Sequence, residues 1–386
     1  MAGNNLAHAL EVYRSRDKRA QELKAQGKKI IGYFCCYPPV ELMTALDLVP
    51  YRIIGDIREP ISRADGYIES NICSFVRNCF ELSLKGRYDF LDGVIIPHSC
   101  DAIEKLYDIW RYYQKSTPTH FLNVPHIIHE GAYSFYHAEL LRLRQSLEEL
   151  AGKKLQTEDL VSAIQVHNEN RALLRSLYRL RVPDPPLMSG SEAIKVAVAA
   201  TALPVLECNE MLRGIISEVN GRKEPLPSGI RVLLYGGHID DAAFVDIIEN
   251  CGANVVLDDL CTTARCFWHE VAVNGDLMHN LCRHYLDNIM CPRTLRQGAN
   301  HVSELENRFG YLTSYATEFK AACAIAYTMR LCDTFEFDVP DLEDYLTKHG
   351  LPFFNLEVEY KLSSMEQLRT RIEAFLESVA EKATRS

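Results

Sequence analysis

Thirteen cysteines are the first chemical feature of this 386-residue chain. They stand at positions 35, 36, 73, 79, 100, 208, 251, 261, 266, 282, 291, 323 and 332. The count is odd, and the opening stretch is polar and helix-patterned with no apolar leader. The thiols are therefore expected to be free or metal-bound, not a disulfide frame. No CxxC pair occurs, which argues against a zinc ribbon or a ferredoxin-type run. A metal centre has to be assembled from distant loops.

In open parallel sheets, ligands gather beyond the carboxyl ends of the strands. Cys35 follows "KIIGYF", Cys100 follows "DGVIIPHS", Cys261 follows "ANVVLDDL" and Cys332 ends "AIAYTMRL". Cys73 opens a helical stretch, where the helix dipole favours a thiolate. Soft thiolates converging from separate loops suit an iron–sulfur cluster. Each one alone equally suits a small buried hydrophobe. Position raises Cys73, Cys100 and Cys332 above the rest. Cys79 lies on an apolar helix face, Cys208 and Cys323 sit in helical patterns, and Cys251 precedes a helix-stopping glycine. Cys266, Cys282 and Cys291 have no supporting pattern.

Other candidates are weaker. His98 beside Cys100, and His238 after Gly237, read as proton donors or as polar loop residues. Asp258 and Asp259 orient a ligand or are solvated strand-end carboxylates. Glu41 suits the first turn of a helix. "YGGHID" lacks the GxGxxG and GxxxxGK[ST] spacings and reads as a tight turn near a ligand. No P-loop, kinase set or haem motif is present, so nucleotide energy would come from another subunit. A zinc hydrolase is disfavoured because no His/Glu ligand spacing occurs.

The elements that must position these residues alternate. A helix up to about residue 28 leads into the strand "KIIGYF", the helix "VELMTALDL" and the strand "VPYRI". "SNICSFVRNCFELSLKG" places Phe75, Cys79, Leu82 and Phe80 on one helical face. "DFLDGVIIPHSCDA", "AIEKLYDIWRYYQ" and "HFLNVPH" continue the strand–helix alternation. Helices follow from about 135 to 220, broken at "RVPDPPLMSGSEA", where Ser191 is expected to cap the next one. "NGRKEPLPSG" is the clearest linker. "IRVLLYGGHIDD", "AAFVDIIENCG" and "ANVVLDDLC" begin a second alternating unit. "FKAACAIAYTMRLCD" reads as a helix and then a strand end, and "LPFFNLEVEY" as the last strand. "SMEQLRTRIEAFLESVAEKA" is an amphipathic helix lined by Leu368, Ile372, Phe375, Leu376 and Val379. The pattern predicts an α/β protein of two lobes with parallel sheets joined by a helical segment. The expected division is 1–155, 156–226 and 227–386.

Composition narrows the setting. The chain is 47% hydrophobic and 24% charged, with a formal charge of −10. That is ordinary globular protein without the basic stripe that nucleic acid needs. Its longest apolar stretches, such as Val196 to Leu206, fall short of a membrane span. The expected location is cytoplasmic.

"GYFCCYPPVELMTALDLVPYRI" resembles the opening motif of the 2-hydroxyacyl-CoA dehydratase and benzoyl-CoA reductase family. "NICSFVRN", "DGVIIPHSCDA", "GANVVLDDLC", "MRLCDTFEFDVP", "GLPFFNLEVEY" and "EQLRTRIEAFLE" are similar to later family motifs and occur in the family's order from residue 30 to 377. The resemblance implies two flavodoxin-like lobes holding a [4Fe-4S] cluster, with Cys73, Cys100 and Cys332 as ligands and Cys35 in reserve. Cys36 replaces the small polar residue of the family pattern, which leaves open which of the two neighbouring thiols faces the cluster. The resemblance also implies a related sister subunit, an acyl-CoA thioester substrate and a separate ATP-hydrolysing activator carrying its own cluster. In the dehydratase branch a ketyl radical loses water. In the reductase branch the ring of benzoyl-CoA is dearomatised to a cyclic dienoyl-CoA. The doubled cysteine, the "YPPVEL" variant and the length lean toward the smaller of the two related subunits in the reductase branch. A dehydratase subunit is the alternative, and a non-catalytic scaffold a third.

Overall fold

The computed structural model describes residues 4–363 and 367–385. Its core is two four-stranded sheets, each wholly parallel. The first contains β1 Ile30–Tyr33, β2 Val49–Arg52, β3 Gly93–Pro97 and β4 Thr119–Leu122, in the order β2-β1-β3-β4. The second contains β5 Ile230–Gly236, β6 Ala253–Asp259, β7 Cys323–Met329 and β8 Phe353–Val358, in the order β6-β5-β7-β8. The same winding, 2-1-3-4, is used twice, and it is the flavodoxin-like order. Every residue of β1, β3, β6 and β7 is buried, as required of strands covered on both faces.

Between the sheets run the helices Glu130–Ala151, Thr157–Arg179, Gly190–Ala200 and Val205–Asn220. Ser189, not Ser191, caps the third. Its hydroxyl accepts from the Glu192 amide while the Glu192 carboxylate accepts from the Ser189 amide, closing a capping box. Ser191 lies inside the helix and donates to Asp246. The N-terminal stretch divides at Ser15 into Asn5–Arg14 and Arg16–Ala25. Beyond the break Arg16 turns inward, donating to Arg52 O at 3.1 Å and Thr201 Oγ1 at 2.9 Å. "KAACAIAYTM" carries β7 rather than a helix. Its alanines mimic a helix former, but a central strand between covering helices also takes small residues. The helix His301–Glu318 ends before it, and Cys323 is therefore a strand residue. The last helix is Arg369–Arg385, with Leu368, Ile372, Leu376 and Val379 buried. Ser364, Met365 and Glu366, at the expected start of that helix, lie outside the described residues.

The chain is interleaved. Val271, Leu277, Leu281, Tyr285 and Ile289 leave the second sheet and pack with Ile31, Tyr37, Leu42 and Tyr136 of the first. Leu295 bridges to Ile127. Helix Asn5–Arg14 packs on Gly190–Ala200 and Val205–Asn220. A second core runs through both halves, joining Phe34, Phe75 and Val94 to Val232, Leu257 and Tyr327. Among the described residues no helix is long and apolar enough to cross a membrane.

Candidate metal centre

The carboxyl ends of both sheets open onto one small cavity of about 50 Å³. Seven cysteines line it: Cys35, Cys36, Cys73, Cys100, Cys261, Cys291 and Cys332. Cys35 and Cys36 follow β1, Cys100 follows β3, Cys261 follows β6 and Cys332 follows β7. Gly237 and His238, after β5, complete the wall. In this winding the strand order reverses between the first and third strands, where doubly wound sheets leave a crevice. Here the two crevices coincide.

Three thiols share a local device. Cys73, Cys100 and Cys332 each occupy the N-cap of a helix: Ser74–Leu84, Asp101–Tyr113 and Asp333–Glu336. Burial raises all three thiols, Cys73 to about 12, Cys100 to about 11 and Cys332 well above its usual value. First-turn amides act the other way: Phe75 and Val76 on Cys73, Ala102 and Ile103 on Cys100, and Phe335 on Cys332. The amides facing Cys73 and Cys100 have no partner within their own helices and are free to favour a thiolate, whereas the Phe335 amide also donates to Cys332 O at 2.9 Å. Cys35 is held at φ 57, and Leu331, just before Cys332, at φ 65. Neither is glycine, and such backbone costs about 1–3 kcal/mol unless its surroundings enforce it. At Cys35 the surroundings are Ser99, with Oγ 3.0 Å from the sulfur, and His238, with Nε2 at 4.0 Å. The Phe75 ring stacks on His238 at 3.8 Å.

A second group adjoins the first. The Cys36 thiol, with one proton to share, sits against Cys266 and Cys291. Chiefly through that shared proton, with guanidinium charge adding to it, Cys266 falls to about 7 and Cys291 to about 6. Burial pushes Cys261 up to about 12.

Three buried arginines surround the sulfurs. Arg265 donates to Cys261 Sγ at 3.3 Å and to Asp259 Oδ2 at 2.7 Å. Arg52, at the end of β2, donates to Cys261 O at 3.0 Å and so joins the two sheets. Arg293 donates to Val124 O at 2.9 Å and Pro125 O at 2.7 Å. The Nε of each, and Nδ1 of His238, have no hydrogen-bond partner among the described residues.

The remaining candidates fall elsewhere. His98 does not line the cavity. Its Nδ1 lies 3.1 Å from Asn123 Oδ1, and its Nε2 is 3.1 Å from Glu104 and 3.3 Å from His126. Asp258 and Asp259 are not solvated: each is buried in an ion pair, with Arg181 at 3.2 Å and Arg265 at 2.7 Å. Glu41 is fully buried, paired with Arg171, and accepts from Tyr285 Oη at 2.8 Å. Cys79, Cys208, Cys282 and Cys323 are buried outside the cavity, and Cys251 faces the last helix. Cys266 and Cys291 do carry a signal in the sequence. Arg265 precedes one and Arg293 follows the other by two residues, so each thiol is built beside a permanent cation.

Residues 35–379 match the family model described as 2-hydroxyglutaryl-CoA dehydratase, D-component. A benzoyl-CoA reductase subunit of Thauera aromatica is 28% identical over 357 residues, covering 91% of each chain. The (R)-phenyllactyl-CoA dehydratase beta subunit of Clostridium sporogenes is 25% identical over 361 residues, 93% of this chain and 94% of that one. The beta subunit of (R)-2-hydroxyglutaryl-CoA dehydratase of Acidaminococcus fermentans is 26% identical over 364 residues, 92% and 94%. The doubled parallel winding, the thiol-lined junction between its sheets and the match along nearly the whole sequence agree: this chain belongs to the 2-hydroxyglutaryl-CoA dehydratase D-component family, which joins benzoyl-CoA reductase and 2-hydroxyacyl-CoA dehydratase subunits.

Proposed function

We propose that this chain is the iron–sulfur subunit of a low-potential reductase of the benzoyl-CoA reductase type. The observation that carries the reading is seven cysteines, drawn from both halves of the chain, around one small cavity. The donor set fits a [4Fe-4S] cluster: soft sulfur, no carboxylate in the wall, and an unpartnered Nδ1 on His238, which lines it. Such a cluster supplies one-electron transfer at low potential. Cys73, Cys100 and Cys332 hold it from their helix N-caps, with Cys35 as the reserve ligand. Arg52, Arg265 and Arg293 offset the negative charge of several thiolates, which burial would otherwise make prohibitive. Phe75, Val76, Ile103, Met329 and Phe335 keep water out of the cavity. His238, which burial holds well below the usual imidazole range, stays neutral and presents a nitrogen to the same space.

The partners in this reading are a related sister subunit, an ATP-hydrolysing activator with its own cluster and an acyl-CoA thioester. Two measurements test it. The anaerobically purified chain is expected to contain iron and acid-labile sulfide. Cys73→Ala, Cys100→Ala and Cys332→Ala are each expected to lose them with the fold retained. Normal iron in all three variants defeats the assignment. Assay of the assembled complex with both thioesters then separates the branches: ring reduction without dehydration supports the reductase, and the reverse places the chain among the dehydratases, whose subunits are similar in sequence at only slightly lower identity.

A further inference from the structure

On the rim of the first sheet, His98, Asp101 and Glu104 bring three nitrogen and oxygen donors together, and His126 lies against His98. His98 follows β3, Asp101 and Glu104 lie in the first turn of Asp101–Tyr113, and His126 lies in the loop after β4. The ligand atoms of His98, Asp101 and Glu104 all lie within 4.8 Å of one another. His98 Nε2 is 3.1 Å from Glu104 Oε2 and 3.3 Å from His126 Nε2. A tetrahedral ion with bonds of about 2.0–2.1 Å separates its ligand atoms by roughly 3.3–3.4 Å. Two of the distances are therefore close to the edges of such a polyhedron.

Proton placement points the same way. His98 Nδ1 lies 3.1 Å from Asn123 Oδ1, a carbonyl oxygen that accepts its proton. In the neutral ring Nε2 then carries a lone pair, and that lone pair faces a carboxylate and a second imidazole nitrogen. A shared cation satisfies all three atoms, with Asn123 fixing the tautomer as an outer partner does for a metal-bound histidine. The ring is further oriented by Phe121, 5.9 Å away between centroids. Asp101 and His126 are exposed, so the site is open to the medium.

We propose that His98, Asp101, Glu104 and His126 bind one divalent transition-metal ion of the zinc and cobalt class. The site contains no sulfur and is independent of what the seven-thiol cavity holds. Its place gives it a role. His98 and Asp101 bracket Ser99 and Cys100, and Ser99 Oγ touches Cys35 Sγ, so an ion there pins the loop that presents one of the cavity's thiols and touches a second.

Cobalt(II) titration of the anaerobic full-length chain tests this, comparing the unaltered protein with His126→Ala and Glu104→Gln. The unaltered chain is expected to take up one more equivalent of cobalt than either variant. The difference spectrum should show ligand-field bands without thiolate-to-cobalt charge transfer. Asn123→Ala should weaken that equivalent about 10–100-fold, as loss of an outer partner does. Equal uptake by all the proteins, or a difference spectrum with thiolate character, overturns the proposal: the first leaves His98 hydrogen-bonded within the cluster with no metal, and the second returns the cobalt to the cysteines. Near-ultraviolet circular dichroism checks that each variant is folded, and because His126 is exposed, His126→Asn provides a second, milder removal of the ligand.

Discussion

Cys36 sets the ionisation of its neighbours. By sharing its one proton with Cys266 and Cys291 it favours their thiolates, at about 7 and about 6, while burial drives Cys73, Cys100 and Cys261 to about 11 or 12. In the metal-free chain the thiolate absorbance titrating between about pH 6 and 7 is expected to move to higher pH in Cys36→Ala; an unchanged titration removes Cys36 from that role. The buried, protonated thiols must release protons when they take a metal. Iron uptake is therefore expected to strengthen as pH rises from neutral toward the alkaline range, measured by competition with a chelator. Cys208→Ala, at a buried site outside the cavity, should keep its iron and cost about 1 kcal/mol. How much of this is legible in the sequence varies by residue. Cys35, Cys73, Cys100, Cys261 and Cys332 are visible because a strand end or helix start precedes or follows each. Cys291 is hidden because it comes from a loop that crosses from the second half, where no local period marks it. His238 and His98 cannot be ranked from sequence. Both follow strands, and only the packing of Phe75 shows that His238 is the one turned inward.

At the scale of elements, the helix Val40–Ala45 carries the clearest reversal of expectation. Glu41 suits its first turn, yet its carboxylate is fully buried and held by Arg171 and Tyr285. Burial acts to raise its carboxyl, but Arg171 outweighs it and brings Glu41 down to about 2. Glu41→Gln leaves the Arg171 charge buried without a partner and is expected to cost about 3–5 kcal/mol, read from urea unfolding. The pH dependence follows from the lowered value. The pair's stabilisation is full above the usual carboxylate range near 4.5 and is lost as pH falls from there toward 2. A chain whose acid unfolding is unchanged by Glu41→Gln contradicts this. Strands and helices at the start of each lobe are readable because apolar runs, turns and helical faces agree there. At β7 composition and environment conflict, since alanine favours helices while the centre of a covered sheet admits small side chains. The linker between the halves is evident from its prolines and glycines; the return of residues 271–289 to the first sheet is not, since packing partners so far apart in sequence leave no spacing to read.

At the scale of the molecule, the cavity exists only where the two sheets face each other, and Arg52 ties them across it. Metal in the cavity binds the folded state alone, so its removal by a chelator is expected to lower the thermal midpoint in proportion to metal affinity. Scanning calorimetry of the iron-loaded and iron-free chain measures it, and identical midpoints would argue that the cavity holds nothing tightly. A fragment ending in the 221–229 linker is expected to fail to fold cooperatively by itself, because Val271, Leu277, Leu281 and Tyr285 fill part of its core from beyond the cut.

That return of the chain also fixes an order of events during synthesis. Residues up to Ile289 have to leave the ribosome before the first sheet can close its greasy side, and residues up to Cys332 before the ring of sulfurs is complete. From the emergence of Leu122 until then the growing polypeptide carries a finished sheet with an unsealed flank, which makes it a client for holding chaperones and delays any insertion of iron until the second half is nearly made.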